Sequence, residues 1–332
     1  MPNPPIRRMI EKKRTPKRRL IRIERQSEIQ PNPQWEAARQ ELADLLIRHA
    51  PVEGPQSTAI PELRLIRQNQ TNELVHSMYR PSLCIVAQGA KQVMLGRHRY
   101  TYDAYSYLAT SVELPIRGRV VEASDEEPYL SLQLYFTADQ IVQLGGAGSS
   151  KITSEKGKPD RGLGIGRMDR ALLDAAIRLV RLLDSQDDIE ALAPLVIREL
   201  LYRAVQGELG GRIRSFAAGG TLSQRIASVV SRLQQEYDKP LRVEELASQA
   251  HMSESSLYAH FKEVTGITPI QYQKKIRLQE ARRLLLSETR EAAEAAFRVG
   301  YESPSQFSRE YARMFGLPPA KDMKQMRERL DR

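Results

Sequence analysis

Cysteine is nearly missing from this sequence: one residue, Cys84, stands among 332. A single thiol excludes an intramolecular disulfide framework and any cysteine-clustered metal site, and it predicts a reducing compartment, the cytoplasm. Long apolar runs are missing too. No uncharged stretch approaches the roughly 18 apolar residues that a membrane-spanning helix needs, and the first segment lacks the apolar core of a secretory signal. Histidine is scarce, with His49, His76, His98, His251 and His260 the whole supply. A barrel-type metal site wants two or three histidines and a carboxylate around one ion. Only His76 and His98 fall in the strand-rich part, and no Ser/His/Asp constellation is recognisable, so neither a metal nor another cofactor is expected.

What is present is a globular composition. Apolar residues make up 41% and charged residues 28% of the chain, and the length favours two domains with separate cores. The net charge of +10 is uneven: residues 1–25 carry +8, residues 222–332 carry +4, and the middle is slightly acidic. Most of the excess thus belongs to residues 1–31, a proline-punctuated segment that reads as a disordered extension, either merely solvated or touching phosphates.

Asn32 and Pro33 form a helix start, followed by Trp35, Ala38, Leu42, Leu45, Leu46 and His49 at helical spacing. From Leu63 to Thr137 short apolar runs predict strands at 63–68, 83–88, 91–96, 105–110, 118–123 and 129–136. Gln88–Lys91 and Leu95–His98 look like hairpin turns in which glycine supplies a positive φ. Six strands without intervening helices favour a sandwich or barrel over a parallel sheet. Residues 145–168 read as a flexible Gly- and Ser-rich connection; Gly162, Gly164 and Gly166 follow no predicted strand and make no dinucleotide fingerprint. Helical patterns at 169–184 and 188–208 carry apolar stripes suited to pairing two subunits. Residues 215–220, SFAAGG, read as an interdomain hinge, so the expected units are 32–215 and 222–332.

The last hundred residues contain an internal echo. LASQAHMSESSLYAHFKEVTGITP (246–269) is matched by AAFRVGYESPSQFSREYARMFGLPP (295–319), and from Ser253 onward the copies align with an offset of 50. Each reads as a short helix, a tight turn, a Ser-capped second helix and a Gly-x-x-Pro stop, the pattern of a helix-turn-helix unit made twice. In the first copy Leu257, Phe261 and Val264 share the inward face. Ser255, Ala259 and Lys262 then face outward, with Tyr258 beside them, Glu254 at the edge and Ser253 as cap. In the second copy Phe307, Tyr311 and Met314 point inward and Ser305, Arg309 and Ala312 outward, with Gln306 and Ser308 beside them and Ser303 as cap. A small, polar or basic face of this kind fits a major groove, where Arg reads guanine and Gln reads adenine. Between the copies, a helix from Pro269 of about 17 residues spans about 25 Å, a strut able to set both second helices in grooves about 34 Å apart. Its cations Lys274, Lys275, Arg277, Arg282 and Arg283 suit phosphates on the way.

These blocks carry a resemblance. Residues 222–325 look like the DNA-binding domain of the AraC/XylS family of transcription regulators, on the strength of 246–272, RLQEARRLLL (277–286) and VGYESPSQFSREYARMFGLPP (299–319). Ala292 and Ala295 stand where the family usually has larger aliphatics, and Asp322 where an aromatic is common, which bears on how the second unit packs. The segments MYRPSLCIVAQGAKQVMLG (78–96), YSYLATSVELPIRGRV (105–120) and PYLSLQL (128–134) resemble the cupin-like amino-terminal domain of one branch of that family. The resemblance implies an α+β two-domain protein: a cupin-like β-barrel with helices that senses a small-molecule effector, then an all-α double helix-turn-helix. It also implies double-stranded DNA as partner, base-facing helices beginning at Ser253 and Ser303, a homodimer, and RNA polymerase as a candidate further partner. Cys84, Val86, Tyr100, Tyr105 and Tyr107 are the candidate barrel lining. Cys84 reads as a small buried hydrophobe, with a thiol sensing an electrophile or oxidant as the sharper option. The alternative function is a cupin-type metal-dependent enzyme fused to a DNA-binding domain, against which the histidine count argues; a dimeric scaffold without DNA affinity is a third.

Overall fold

A computed structural model describes residues 32–144, 160–287 and 291–330. The basic extension 1–31 and most of the Gly/Ser-rich connection lie outside the described residues. The chain starts with helix α1 (Pro33–His49), whose first amides are met by the Asn32 side chain accepting from the Gln34 N–H at 3.0 Å. Ten strands follow in two antiparallel sheets. One holds β1 (Gly54–Ser57), β2 (Leu63–Gln68), β4 (Ser82–Gln88), β7 (Ser106–Thr110), β9 (Tyr129–Tyr135) and β10 (Leu163–Arg167), in the order β1-β2-β9-β4-β7-β10. The other holds β3 (Val75–Tyr79), β5 (Ala90–Leu95), β6 (His98–Asp103) and β8 (Leu114–Glu122), in the order β3-β8-β5-β6. Face to face they form the cupin-like barrel. Strand alternation assigns the faces: Leu83, Ile85 and Ala87 of β4 pack outward under helices, while Cys84 and Val86 point between the sheets.

The outer layer is α1, α2 (Ala138–Leu144), α3 (Arg170–Arg181), α4 (Gln186–Gln206) and α5 (Gly210–Ala217), which share one apolar core with the outward face of the six-stranded sheet. Three expectations change here. Gln88–Lys91 is not a hairpin, because β4 and β5 belong to different sheets; Gly89, at φ +76°, turns the corner where an added Cβ would sit 2.4 Å from the Glu122 carbonyl oxygen. The Leu95–His98 hairpin forms as expected, with Gly96 at φ +59°. Gly162–Gly166 is not flexible linker: Leu163–Arg167 pairs with Thr110–Ser106 as an edge strand. Its glycines admit close neighbours, since a Cβ on Gly164 would meet the Arg212 guanidinium at 2.4 Å and one on Gly166 the Tyr107 ring at 2.7 Å. The expected hinge is also shorter. Residues 215–217 end α5, and Thr221 both donates to the Ser215 carbonyl and caps the next helix.

The carboxy-terminal part is α6 (Leu222–Gln235), α7 (Val243–Gln249), α8 (Glu254–Thr265), α9 (Pro269–Ser287), α10 (Ala292–Arg298), α11 (Pro304–Phe315) and α12 (Pro319–Leu330). The repeat is literal: α8 and α11 have 12 residues each and end on Gly266 and Gly316 at φ +75° and +84°. Their first helices are offset by 49, and the turn position is His251 at φ +51° in one copy and Gly300 at φ +85° in the other. Of the two alanines that stand for larger aliphatics, Ala295 is fully buried in one cluster with Phe307 and Tyr311, and Ala292 is half-buried at its edge. Asp322 is buried at 5% exposure because Arg282 grips it with two bonds of 2.9 and 3.0 Å and the Tyr311 hydroxyl donates to it at 2.7 Å. A buried ion pair stripped of one partner leaves a desolvated charge. Asp322→Ala should therefore destabilise the second unit by about 3 kcal/mol, read as earlier chemical unfolding; a change below about 0.5 kcal/mol would make the pair incidental.

Candidate nucleic-acid interface and sensor barrel

Both second helices present the expected faces. Ser253 accepts from the Ser256 amide and Ser303 from the Gln306 amide, each at 3.3 Å. Leu257, Phe261 and Val264 are buried, as are Phe307 and Tyr311, while Met314 is half-buried. Glu254, Ser255, Ala259 and Lys262 are exposed on α8, with Tyr258 half-buried; Ser305, Gln306 and Arg309 are exposed on α11, with Ser308 half-buried. Arg309 has no hydrogen bond or ion pair among the described residues, and neither has exposed Arg313 one turn further on, a residue the sequence reading passed over. Gln306 donates to Glu310 at 3.2 Å.

The strut cations Lys274, Lys275, Arg277, Arg282 and Arg283, expected on phosphates, also have neighbours within the molecule, although Lys274 and Arg283 stay 42% and 60% exposed. Lys274 pairs with Glu310 at 2.6 Å, and Arg283 pairs with Glu280 at 2.6 Å. Arg277 donates to the carbonyls of Tyr237, Asp238, Lys239 and Gly300, and Arg282 holds Asp322. Lys275 is turned toward the barrel, where burial and then Arg117 push its pKa down. Only Lys275 faces the barrel, where α9 lies against β3 and β8; the other four find their partners on α9 itself, on α11 and α12, and at the carbonyls near Tyr237 and Gly300.

That packing couples the barrel to the first helix-turn-helix unit. The buried Tyr272 stacks edge-on against Phe261 at 5.4 Å and donates to the Glu113 carbonyl at 2.9 Å. The Gly162 amide donates to the Val264 carbonyl at 3.1 Å, and Arg161 pairs with Glu263 at 3.1 Å. At the hairpin tip, Gly96 lies so close to Gly266 that a Cβ would meet its carbonyl oxygen at 2.7 Å. All of these contacts take the carboxy-terminal end of α8 and leave its amino-terminal face open. Between barrel, α5 and α6 lies a cavity of about 210 Å³ bordered by Glu113, Phe216 and Gln234.

The five expected lining residues separate. Cys84 and Val86 point between the sheets, and half-buried Tyr100 packs on the same cluster. Tyr107 belongs to the opposite face, in the core under the helices, and Tyr105 stacks on Trp35 at 6.1 Å and donates to Glu36 at 2.8 Å. The reason is strand parity: Tyr107 pairs with Ile85, an outward residue. Burial pushes the Cys84 thiol up to about 11, which keeps it protonated and unreactive at neutral pH. Tyr79, Lys91, Tyr102 and Tyr129, none singled out from sequence, surround Cys84 instead. The signal available was the parity of Lys91 with Val93 and Leu95. Among the described residues no three His, Cys, Asp or Glu side chains gather as a metal-binding group, and no helix is long and apolar enough to cross a membrane. His98 is exposed at the hairpin.

A barrel joined to a twin helix-turn-helix defines the class of two-domain regulators with an amino-terminal sensor. The comparisons agree. Residues 59–212 match the family model described as the AraC-type transcriptional regulator N-terminus, and residues 246–325 match a helix-turn-helix domain. The RCS-specific activator RclR of Escherichia coli K12 is 35% identical over 107 residues, 32% of this chain and 38% of that protein. The regulator ArgR of Pseudomonas aeruginosa is 28% identical over 158 residues, 47% of each. The matches thus span less than half the length of these relatives. Crystal structures of ToxT from Vibrio cholerae share the fold at 11 to 12% identity: the unsaturated-fatty-acid-bound form covers 79% of this chain and 93% of its own at TM-score 0.53, and the form bound to a methylnaphthalenyl butenoic acid covers 82% and 98% at 0.54. The chain belongs to the AraC/XylS family.

The junction has a pH-sensitive group. His76 on β3 is held down to about 4 by burial first and then by Lys275, Arg117 and Arg282. The unfolded chain takes this proton near 6.5 and the folded one near 4, so stability is complete above 6.5 and falls as the pH drops through that window. Allowing for partial exposure, the loss is about 1–3 kcal/mol. The melting temperature of His76→Gln should accordingly fall less between pH 6.5 and 4 than that of the parent; parallel curves would show that His76 does not carry the effect.

Proposed function

We propose that this chain is a cytoplasmic, sequence-specific DNA-binding transcription regulator whose promoter binding is controlled by a small-molecule effector in the amino-terminal barrel. The observation that carries the reading is the pair of equal, equally capped second helices with exposed polar faces 50 residues apart, joined by a 19-residue helix about 28 Å long. One recognition helix in each of two successive grooves is what such a strut supports. The effector part is supported by the sensor-type family match and by fatty-acid-bound ToxT as a relative in fold. An effector that prefers one arrangement of barrel and first unit shifts the equilibrium between arrangements by its differential affinity. Regulator relatives and a barrel without a converging histidine set favour a binding protein over an enzyme.

A homodimer is part of the reading. Leu192, Leu195 and Tyr202 are exposed along one side of α4, a stripe suited to a second copy. RNA polymerase belongs to the proposal only as the partner of an activator.

The test is DNA binding by the full chain, first by selection from random duplexes and then by titration against salt. Arg309→Ala should weaken the selected site by about 1–3 kcal/mol and random DNA hardly at all. Equal loss on both would make Arg309 a phosphate contact, and no selected site would remove the function. In the same titrations Arg313→Ala should lower the salt slope by about one, whereas Lys275→Ala, turned to the barrel, should leave it unchanged. A lower slope for Lys275→Ala would return the strut to the DNA surface.

A further inference from the structure

Lys91 has no evident structural task. It lies on β5 with Val93 and Leu95, whose side chains fill the barrel, and its cross-strand partners are Tyr102 on β6 and Val120 on β8. Its ammonium stands 5.6 Å from the ring centre of Tyr79 and 5.9 Å from that of Tyr129, with the Cys84 thiol beside it. Among the described residues no carboxylate pairs with it. Tyr102, Tyr129, Cys84 and Val86 are buried, while Lys91 as a residue keeps some accessible surface among them. An apolar residue would fill a purely structural position here at no electrostatic cost, since a desolvated cation without an anion is unfavourable. Ring faces offset that only in part.

We propose that Lys91 is the counter-ion of a monoanionic ligand, a carboxylate on a small apolar or aromatic body, held inside the barrel against Tyr79, Tyr102 and Tyr129. The proposal rests on the barrel being the effector site and names the effector's class. One ammonium without an Arg fork matches a single negative charge better than a phosphate dianion, which gathers several donors. Free α-amino acids are disfavoured because their own ammonium would be buried beside Lys91. Burial pushes the Tyr129 hydroxyl up to about 12 and Tyr102 above its ordinary value, so both remain protonated and serve as donors to a carboxylate. Burial opposes charge on Lys91, and the neutral ring faces of Tyr79 and Tyr129 offset this only in part, so a bound anion would be the partner that fully favours the ammonium. The site also has a route to the DNA-binding part: β5 runs from Lys91 to Leu95, and the next residue, Gly96, abuts Gly266 at the end of α8.

The experiment compares formate, acetate and benzoate with formamide, acetamide and benzamide on the full chain at equal ionic strength, following melting temperature. At least one acid should raise it saturably while its amide does not, and Lys91→Met, checked as folded by near-UV circular dichroism, should lose that rise. Without any acid, Lys91→Met should melt no lower than the parent, because removing an unpaired buried charge relieves the fold. The proposal is overturned by the absence of any acid–amide difference, by a difference that survives in Lys91→Met, or by a variant that melts several degrees lower on its own. Acids that stabilise through Lys91 without changing affinity for the selected DNA site support the anion site and remove the effector reading. Amides that stabilise and change that affinity do the reverse.

Discussion

The position of the first helix-turn-helix unit depends on the burial of Tyr272. Its ring closes the core under α8, packed edge-on to Phe261, while its hydroxyl donates to the Glu113 carbonyl in the barrel and accepts from Gln234 in α6 at 3.2 Å. One side chain at the start of α9 therefore ties strut, recognition helix, flanking helix and sensor. Around it a single apolar cluster runs from the barrel interior into the first unit without a break, from Cys84 and Tyr129 through Leu114 to Phe261 and Val264. A change of arrangement between barrel and first unit has to open part of that cluster, at roughly 25 cal/mol for each Å² of apolar surface exposed.

The second unit is built on different physics. Its core is a separate cluster of α9, α10, α11 and α12. Charged contacts supplement it: Glu310 receives Lys274, Tyr301 and Gln306, and Asp322 receives Arg282 and Tyr311. Two units of one repeat are thereby distinguished, the first bolted to the sensor by apolar burial and the second fastened to the strut by ion pairs. A signal from the barrel can reach the second unit through α9, which also carries Lys275 against Arg117, and through the 237–238 segment of the first unit, where Tyr237 packs on the second core and the Asp238 carbonyl abuts Gly300.

The fold was largely legible from sequence where a period or a repeat was long. The offset of 50, the Ser caps, the Gly stops and the inward triads of α8 and α11 all follow from local rules that tertiary packing had no reason to override. The misreadings share one cause: residues whose role is set by a distant neighbour. Gly89 resembles a hairpin glycine until β4 and β5 enter different sheets, and Gly164 and Gly166 resemble linker until Arg212 and Tyr107 lie across them as β10 pairs with β7. Tyr107 was given to the wrong face because the parity of β7 is decided by its partners. The partners of Lys274, Arg277 and Arg282 on α9 were not legible because Glu310, the carbonyls near Tyr237 and Asp322 are far away along the chain or indistinguishable from any others in sequence.

Part of the basic character of the DNA-binding third is internal, most clearly Arg277 on the carbonyls of Tyr237 to Lys239 and Arg282 on Asp322. Arg277 and Arg282 are held inside the fold and Lys275 faces the barrel, while the exposed cations on the second helices themselves are Lys262, Arg309 and Arg313. A nonspecific phosphate binder spreads many free cations along its surface, and its affinity collapses steeply with salt. With three open cations on the recognition helices themselves, selection of a site draws on base edges and on presenting two recognition helices at once. The arrangement of the two units, rather than the total charge, is then the quantity that an effector has to control, and α9 with its buried Tyr272 is where that arrangement is set.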